Sequence, residues 1–112
     1  MSNTLVEKKC NVCEDGNVSP LAKDEIDKYL KLTPLWQVIE GVKIQRVFQF
    51  KGFYKTMAFV NAVAWVANKE GHHPDMEVSF NRCIVNFTTH AVDGLTDNDF
   101  ICAAKVDQLF ED

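Results

Sequence analysis

A chain of 112 residues, 46% hydrophobic and 25% charged, is long enough for one domain with one core and too short for two. Its net charge of -4 speaks against a binder of nucleic-acid phosphates, which would need a basic stripe. No apolar run approaches the ~20 residues of a membrane span, and the opening MSNTLVEKKC lacks the apolar centre of a signal peptide. The expectation is a cytoplasmic enzyme or binding module, with neither membrane nor nucleic acid as a partner.

Residues 1–18 carry charge, Asn and Gly16 but little apolar periodicity, and read as a flexible or loosely ordered leader; residues 19–112 read as the single domain. Within the leader, Cys10 and Cys13 form a CxxC, half of a zinc knuckle with no second half nearby. Two incidental thiols are the first reading; a zinc site completed across an oligomer interface, or a redox pair, are the alternatives. Lacking a signal peptide, the cysteines are expected to stay reduced. Cys83 and Cys102 fall on apolar faces and read as small hydrophobes.

Ser19-Pro20 has the chemistry of a helix entry, and Ala22, Ile26 and Tyr29 or Leu30 follow at helical spacing. Pro34 closes that helix. Trp36–Glu40 and Val42–Phe50 alternate, and a Glu40-Gly41 turn joins them as a hairpin. Ile44, Phe48 and Phe50 point one way, with Arg46 interrupting their face. Phe53 opens the longest apolar segment, a helix ending near Gly71 that is expected to be the central buried one. Val78 and Phe80 begin a third strand, Asn81-Arg82 turns, and Cys83, Val85, Phe87 and Thr89 form the inward face of a fourth, which ends at His90. Thr96 and Asp99 stand at capping-box spacing for a last helix striped by Phe100, Ala103, Val106 and Phe110. The order α-β-β-α-β-β-α predicts an α+β fold, a four-stranded antiparallel sheet with helices packed on one face.

All three histidines fall between Glu70 and Asp99. Adjacent imidazoles before Pro74 make poor core filler, because a neutral ring still carries a donor and an acceptor that burial must satisfy. Three imidazoles in one place serve either proton traffic near neutral pH or a metal. Neighbours on an extended chain point in opposite directions, which suits one shared ion badly, so no metal site is expected. Asp99, on pattern alone, is a capping acid in the first turn of a helix.

The run His72-His73-Pro74, with Phe80, His90, Gly94-Leu95-Thr96 and Asp99 after it, resembles the pterin-4a-carbinolamine dehydratase family. A looser likeness extends over nearly the whole chain. One position departs: Asn68, four residues before His72, stands where the family usually has glutamate, and Glu70 lies two residues further on. The resemblance implies dehydration of 4a-hydroxytetrahydrobiopterin to quinonoid dihydropterin and water, recycling the pterin of aromatic amino acid hydroxylation. The pterin is the substrate, and neither metal nor organic cofactor is implied. His72, His73 and His90 are the implied catalytic residues, with Asp99, Pro74, Asn68 and Glu70 at the substrate. His73 and His90 are expected to exchange protons while His72 orients the pterin or shares the proton load. A functional link to phenylalanine hydroxylase and a homodimer or homotetramer are implied as well. The alternative is a dimerising coactivator or stabilising binding protein of the same fold, and a third reading is an enzyme acting on another pterin.

Overall fold

The computed structural model describes residues 4–10 and 19–110. After a short 3-10 turn at Thr4–Glu7 come α1 (Lys23–Leu30), β1 (Gln37–Ile39), β2 (Lys43–Gln49), α2 (Phe53–Glu70), β3 (Asp75–Ser79), β4 (Arg82–Phe87) and α3 (Asp97–Phe110). The strands form one antiparallel sheet in the order β1-β2-β4-β3, which is the α+β arrangement expected from the sequence. Glu40 and Gly41 both take positive φ between β1 and β2, a backbone that glycine adopts freely and other residues resist. Ser79 pairs with Arg82, so the turn between β3 and β4 is Phe80-Asn81, one residue earlier than the sequence pattern suggested. β3 also starts earlier, directly after Pro74.

The alternation of β2 and β4 sends Ile44, Phe48, Cys83, Val85 and Phe87 to one face, where all five are buried. That face meets Phe59 and Val63 of α2 and Phe100, Ile101 and Val106 of α3 in a single core. Each such large apolar side chain, fully buried, stabilises by about 1.5–3 kcal/mol, which is why the pattern overrides local preferences. Arg46 lies on the same face, and the structure accounts for it. Its guanidinium sits over the rings of Phe48 and Phe110 and pairs with Asp107, which also accepts from the Trp36 indole N–H at 2.8 Å. A cation on an apolar face is tolerated because its charge is paired and its plane stacked.

Three expectations are corrected. α2 is not the central buried helix: Thr56, Phe59, Val63 and Ala67 face inward, while Phe53, Tyr54 and Trp65 face out. α3 holds that place, buried without a break from Asn98 to Ala104, because both the sheet and α2 pack against it. The first helix starts at Lys23 rather than at Ser19-Pro20, its entry held by the Ala22 N–H donating to Glu25 Oε1 at 3.1 Å. Residues 4–10, read as part of the leader, are built into the domain, for Leu5 is one of the core side chains. A single apolar pair, Leu5-Val6, is too short to show periodicity. Cys13 lies outside the described residues.

Candidate functional site

The site forms where four chain ends meet: the C-terminus of α2, the entry to β3, the exit of β4 and the N-terminus of α3. Gly71 ends α2 in the left-handed conformation, φ 67°, and the N–H groups of Gly71 and His72 close back onto the carbonyls of Asn68 and Ala67. Glycine takes this conformation without the clash a Cβ would bring. The chain then leaves the helix axis, and His72 turns into the protein.

There the His72 ring stacks on Phe87, centroids 5.9 Å apart and planes within 10°, and its Nε2 lies 2.6 Å from Asp99 Oδ1. Asp99 is fully buried and the His72 side chain only 12% exposed. The second carboxylate oxygen, Oδ2, accepts from the Thr89 hydroxyl at 2.8 Å and from the Thr96 N–H at 3.0 Å. Thr96 Oγ1 in turn lies 2.8 Å from Thr89 Oγ1. A buried carboxylate is costly unless its lone pairs are met, and here three donors meet them. An ionised carboxylate can only accept, so His72 Nε2 carries a hydrogen and Nδ1 is left for other work. The capping role read for Asp99 is present in the Thr96 N–H bond, and the contact with His72 is added to it.

His90 does not end a strand. β4 stops at Phe87, Thr89 makes an isolated bridge with Gly94, and His90 opens a short 3-10 turn through Val92. Its side chain is 81% exposed, with Nε2 4.0 Å from Asp75 Oδ2. His73 is exposed and Pro74 half-buried. The structure thus brings together two histidine–carboxylate pairs, one buried and one open. They are joined through the chain, since His72 to Asp75 spans one side and Thr89-His90 the other. Asp75, Thr89 and Thr96 carry this arrangement and were not singled out as site residues. Only the position of Asp75 directly after the His-His-Pro run hinted at it.

Two expected residues are placed differently. Asn68 is exposed on the last turn of α2. Glu70 faces the N-terminal segment and α3: Oε1 accepts from the Cys10 N–H at 3.0 Å and Oε2 pairs with Lys105 at 3.3 Å. Burial works to raise the Glu70 pKa, but the Cys10 amide and the Lys105 ammonium prevail and hold it below the ordinary carboxylate value. Among the described residues no group of His, Cys, Asp and Glu has the arrangement of a metal site. Nor is any described helix long and apolar enough to cross a membrane.

The pterin 4 alpha carbinolamine dehydratase family model matches residues 19–109. A relative from Nitrosomonas eutropha, provisionally named a pterin-4-alpha-carbinolamine dehydratase, is 57% identical over 106 residues, 94% of this chain and 92% of its own. One from Legionella pneumophila with the same provisional name is 53% identical and is matched over 100% of both chains. Among solved structures, a transcriptional coactivator/pterin dehydratase from Brucella melitensis is 32% identical with a TM-score of 0.77, covering 81% of this chain and 98% of its own. A pterin dehydratase-like RuBisCO assembly factor of the alpha-carboxysome, 22% identical with a TM-score of 0.58, shares the fold. The family model thus spans the α+β domain from ahead of α1 into the last turn of α3. The chain belongs to the pterin 4 alpha carbinolamine dehydratase family.

Proposed function

We propose that the protein dehydrates a 4a-hydroxytetrahydropterin, with 4a-hydroxytetrahydrobiopterin as the substrate that the family relation favours, to the quinonoid dihydropterin and water. The observation that carries this reading is the Asp99-His72 pair beside the exposed His73 and His90. Elimination requires an acid to protonate the departing 4a hydroxyl and a base to take the proton from the neighbouring ring nitrogen. Exposed imidazoles can do both near neutral pH. We assign those transfers to His73 and His90. His72, clamped by Asp99 and Phe87, orients the pterin, and its free Nδ1 is the atom it would offer. Protons and water are the only species exchanged, so the reaction as written uses no metal or organic cofactor.

In this reading Asp99 and Pro74 act by shaping the rim. Asn68, in the family's glutamate position, offers an amide where a carboxylate would stand, and Glu70 is engaged elsewhere. The product would return to an aromatic amino acid hydroxylase, phenylalanine hydroxylase being the expected link. β1 and β3 are edge strands, and β3 exposes Val78, which supports pairing of copies into a homodimer or homotetramer. A second reading, partner binding, is favoured by the outward Tyr54 and Trp65 of α2, large aromatic surfaces left open. The two readings part on one experiment: stopped-flow absorbance of chemically generated 4a-hydroxytetrahydropterin. Acceleration by the folded protein supports the dehydratase; decay at the uncatalysed rate leaves the binding role.

A further inference from the structure

We infer that Cys10 and Cys102 are a disulfide-forming pair, a modification site at which a small disulfide oxidant fastens the N-terminal segment to α3. The CxxC spelling joins Cys10 to Cys13, but in the fold the sulfur facing Cys10 is that of Cys102, 3.4 Å away and 92 residues along the chain. Both are free thiols. A disulfide requires about 2.05 Å between sulfurs, so the two atoms need to close by about 1.3 Å.

The approach is held from both sides. Leu5 anchors the segment in the core, the Cys10 N–H donates to Glu70 Oε1, and Cys10 Sγ, as a donor, lies 3.7 Å from the Asn98 carbonyl oxygen. Cys102 is wholly buried on the inner side of α3, whereas Cys10 is half-buried at its rim. That difference in access orders the chemistry. The Cys10 thiolate attacks one sulfur of a glutathione-type disulfide; that S–S bond breaks and one small thiolate departs. Cys102 then gives up its proton and attacks the Cys10 sulfur, forming the Cys10–Cys102 bond and expelling the second small thiolate. Two protein thiols are oxidised and one small disulfide is reduced to two thiols. In the dithiol state the contact with Cys10 and burial both raise the Cys102 pKa, and burial persists once Cys10 carries the mixed disulfide, so Cys102 is slow to yield that proton.

The bond would tie down both halves of the site. Cys102 lies one helical turn beyond Asp99, and Glu70, which grips Cys10, lies two residues before His72.

The test is to incubate the full chain with glutathione disulfide and measure intact mass, disulfide-mapped peptides and thermal unfolding. The expected result is loss of about 2 Da and a crosslink between the peptides bearing Cys10 and Cys102. Tm should rise by roughly 10 °C, reversed by reductant, since the bond closes a long loop. Cys10→Ser and Cys102→Ala should each abolish the crosslink, and Cys13→Ser should retain it; Cys10→Ser, at a half-exposed position, decides the matter if Cys102→Ala fails to fold. A Cys10–Cys13 bond, a crosslink that Cys13→Ser removes, or glutathione left on Cys10 without transfer would each overturn the inference.

Discussion

The contact between His72 and Asp99 is open to a quantitative test through the pair His72→Phe and Asp99→Asn. Asparagine has one acceptor oxygen where Asp99 uses two, accepting from His72 at 2.6 Å, Thr89 at 2.8 Å and Thr96 at 3.0 Å. Its oxygen can stay with the two threonines, but the amide N–H then faces His72 Nε2 and forces the imidazole hydrogen to Nδ1. A hydrogen bond to a charged group contributes about 1.5–3 kcal/mol against about 0.5–1.5 for a neutral one, so Asp99→Asn should cost about 1–2 kcal/mol. His72→Phe keeps the stacking on Phe87 but leaves Oδ1 of a fully buried carboxylate without a donor, a loss of about 2–3 kcal/mol. In the double variant the buried charge is gone and only a neutral amide N–H is left without its imidazole partner, so the two losses should overlap by at least about 1 kcal/mol. Urea unfolding of all four proteins, with slopes that stay equal, reads this directly. Additivity within about 0.5 kcal/mol would refute the claim that the pair acts as a unit.

Other outcomes follow from the same structure. Glu70→Gln should destabilise at neutral pH. Because the folded-state pKa of Glu70 is lowered from 4.5, its stabilisation is complete above that value and lost as pH falls through the folded pKa. Chemical denaturation at neutral pH and near pH 3 should therefore show the gap between Glu70→Gln and wild type closing on the acid side; a gap that widens there contradicts the assignment. Arg46→Ala should cost about 2–4 kcal/mol by removing the Arg46–Asp107 ion pair and baring the Phe48 and Phe110 rings, visible as a lower Tm. Gly71→Ala meets no atom within 4 Å, so its cost is backbone strain alone, about 1–2 kcal/mol at φ 67°. That strain should also lower dehydratase activity by displacing His72.

Much of the fold was legible in the sequence because burial acts through periodicity. The alternation from Cys83 to Phe87 and the stripe of α3 both leave a signature that needs no coordinates. α2 was misjudged for the same reason in reverse: Phe53, Tyr54, Ala58, Ala64 and Trp65 count as apolar in a pattern but face outward. The place of Leu5 depends on a groove that exists only after α3 is docked, so no local pattern could show it. At the site, the histidine run and Asp99 were visible as chemistry. The division between an inward His72 and an exposed His73 follows from alternation on an extended chain. The partners of Asp99 did not show, since Thr89 and Thr96 reach it through the Thr89–Gly94 bridge. Cys10 was read with its sequence neighbour, whereas the fold sets it against Cys102.

The central claim, that His73 and His90 exchange protons with a pterin held beside an anchored His72, is tested most directly by single-variant dehydration kinetics. Rates of 4a-hydroxytetrahydropterin decay would be measured for wild type, His73→Ala and His90→Ala, each with its Tm. Both side chains are exposed, so Tm should stay close to wild type while the catalysed rate falls by roughly 10²-fold or more in each variant. A wild-type rate retained by either variant would remove that histidine from the chemistry, and no acceleration by folded wild type would contradict the account as a whole.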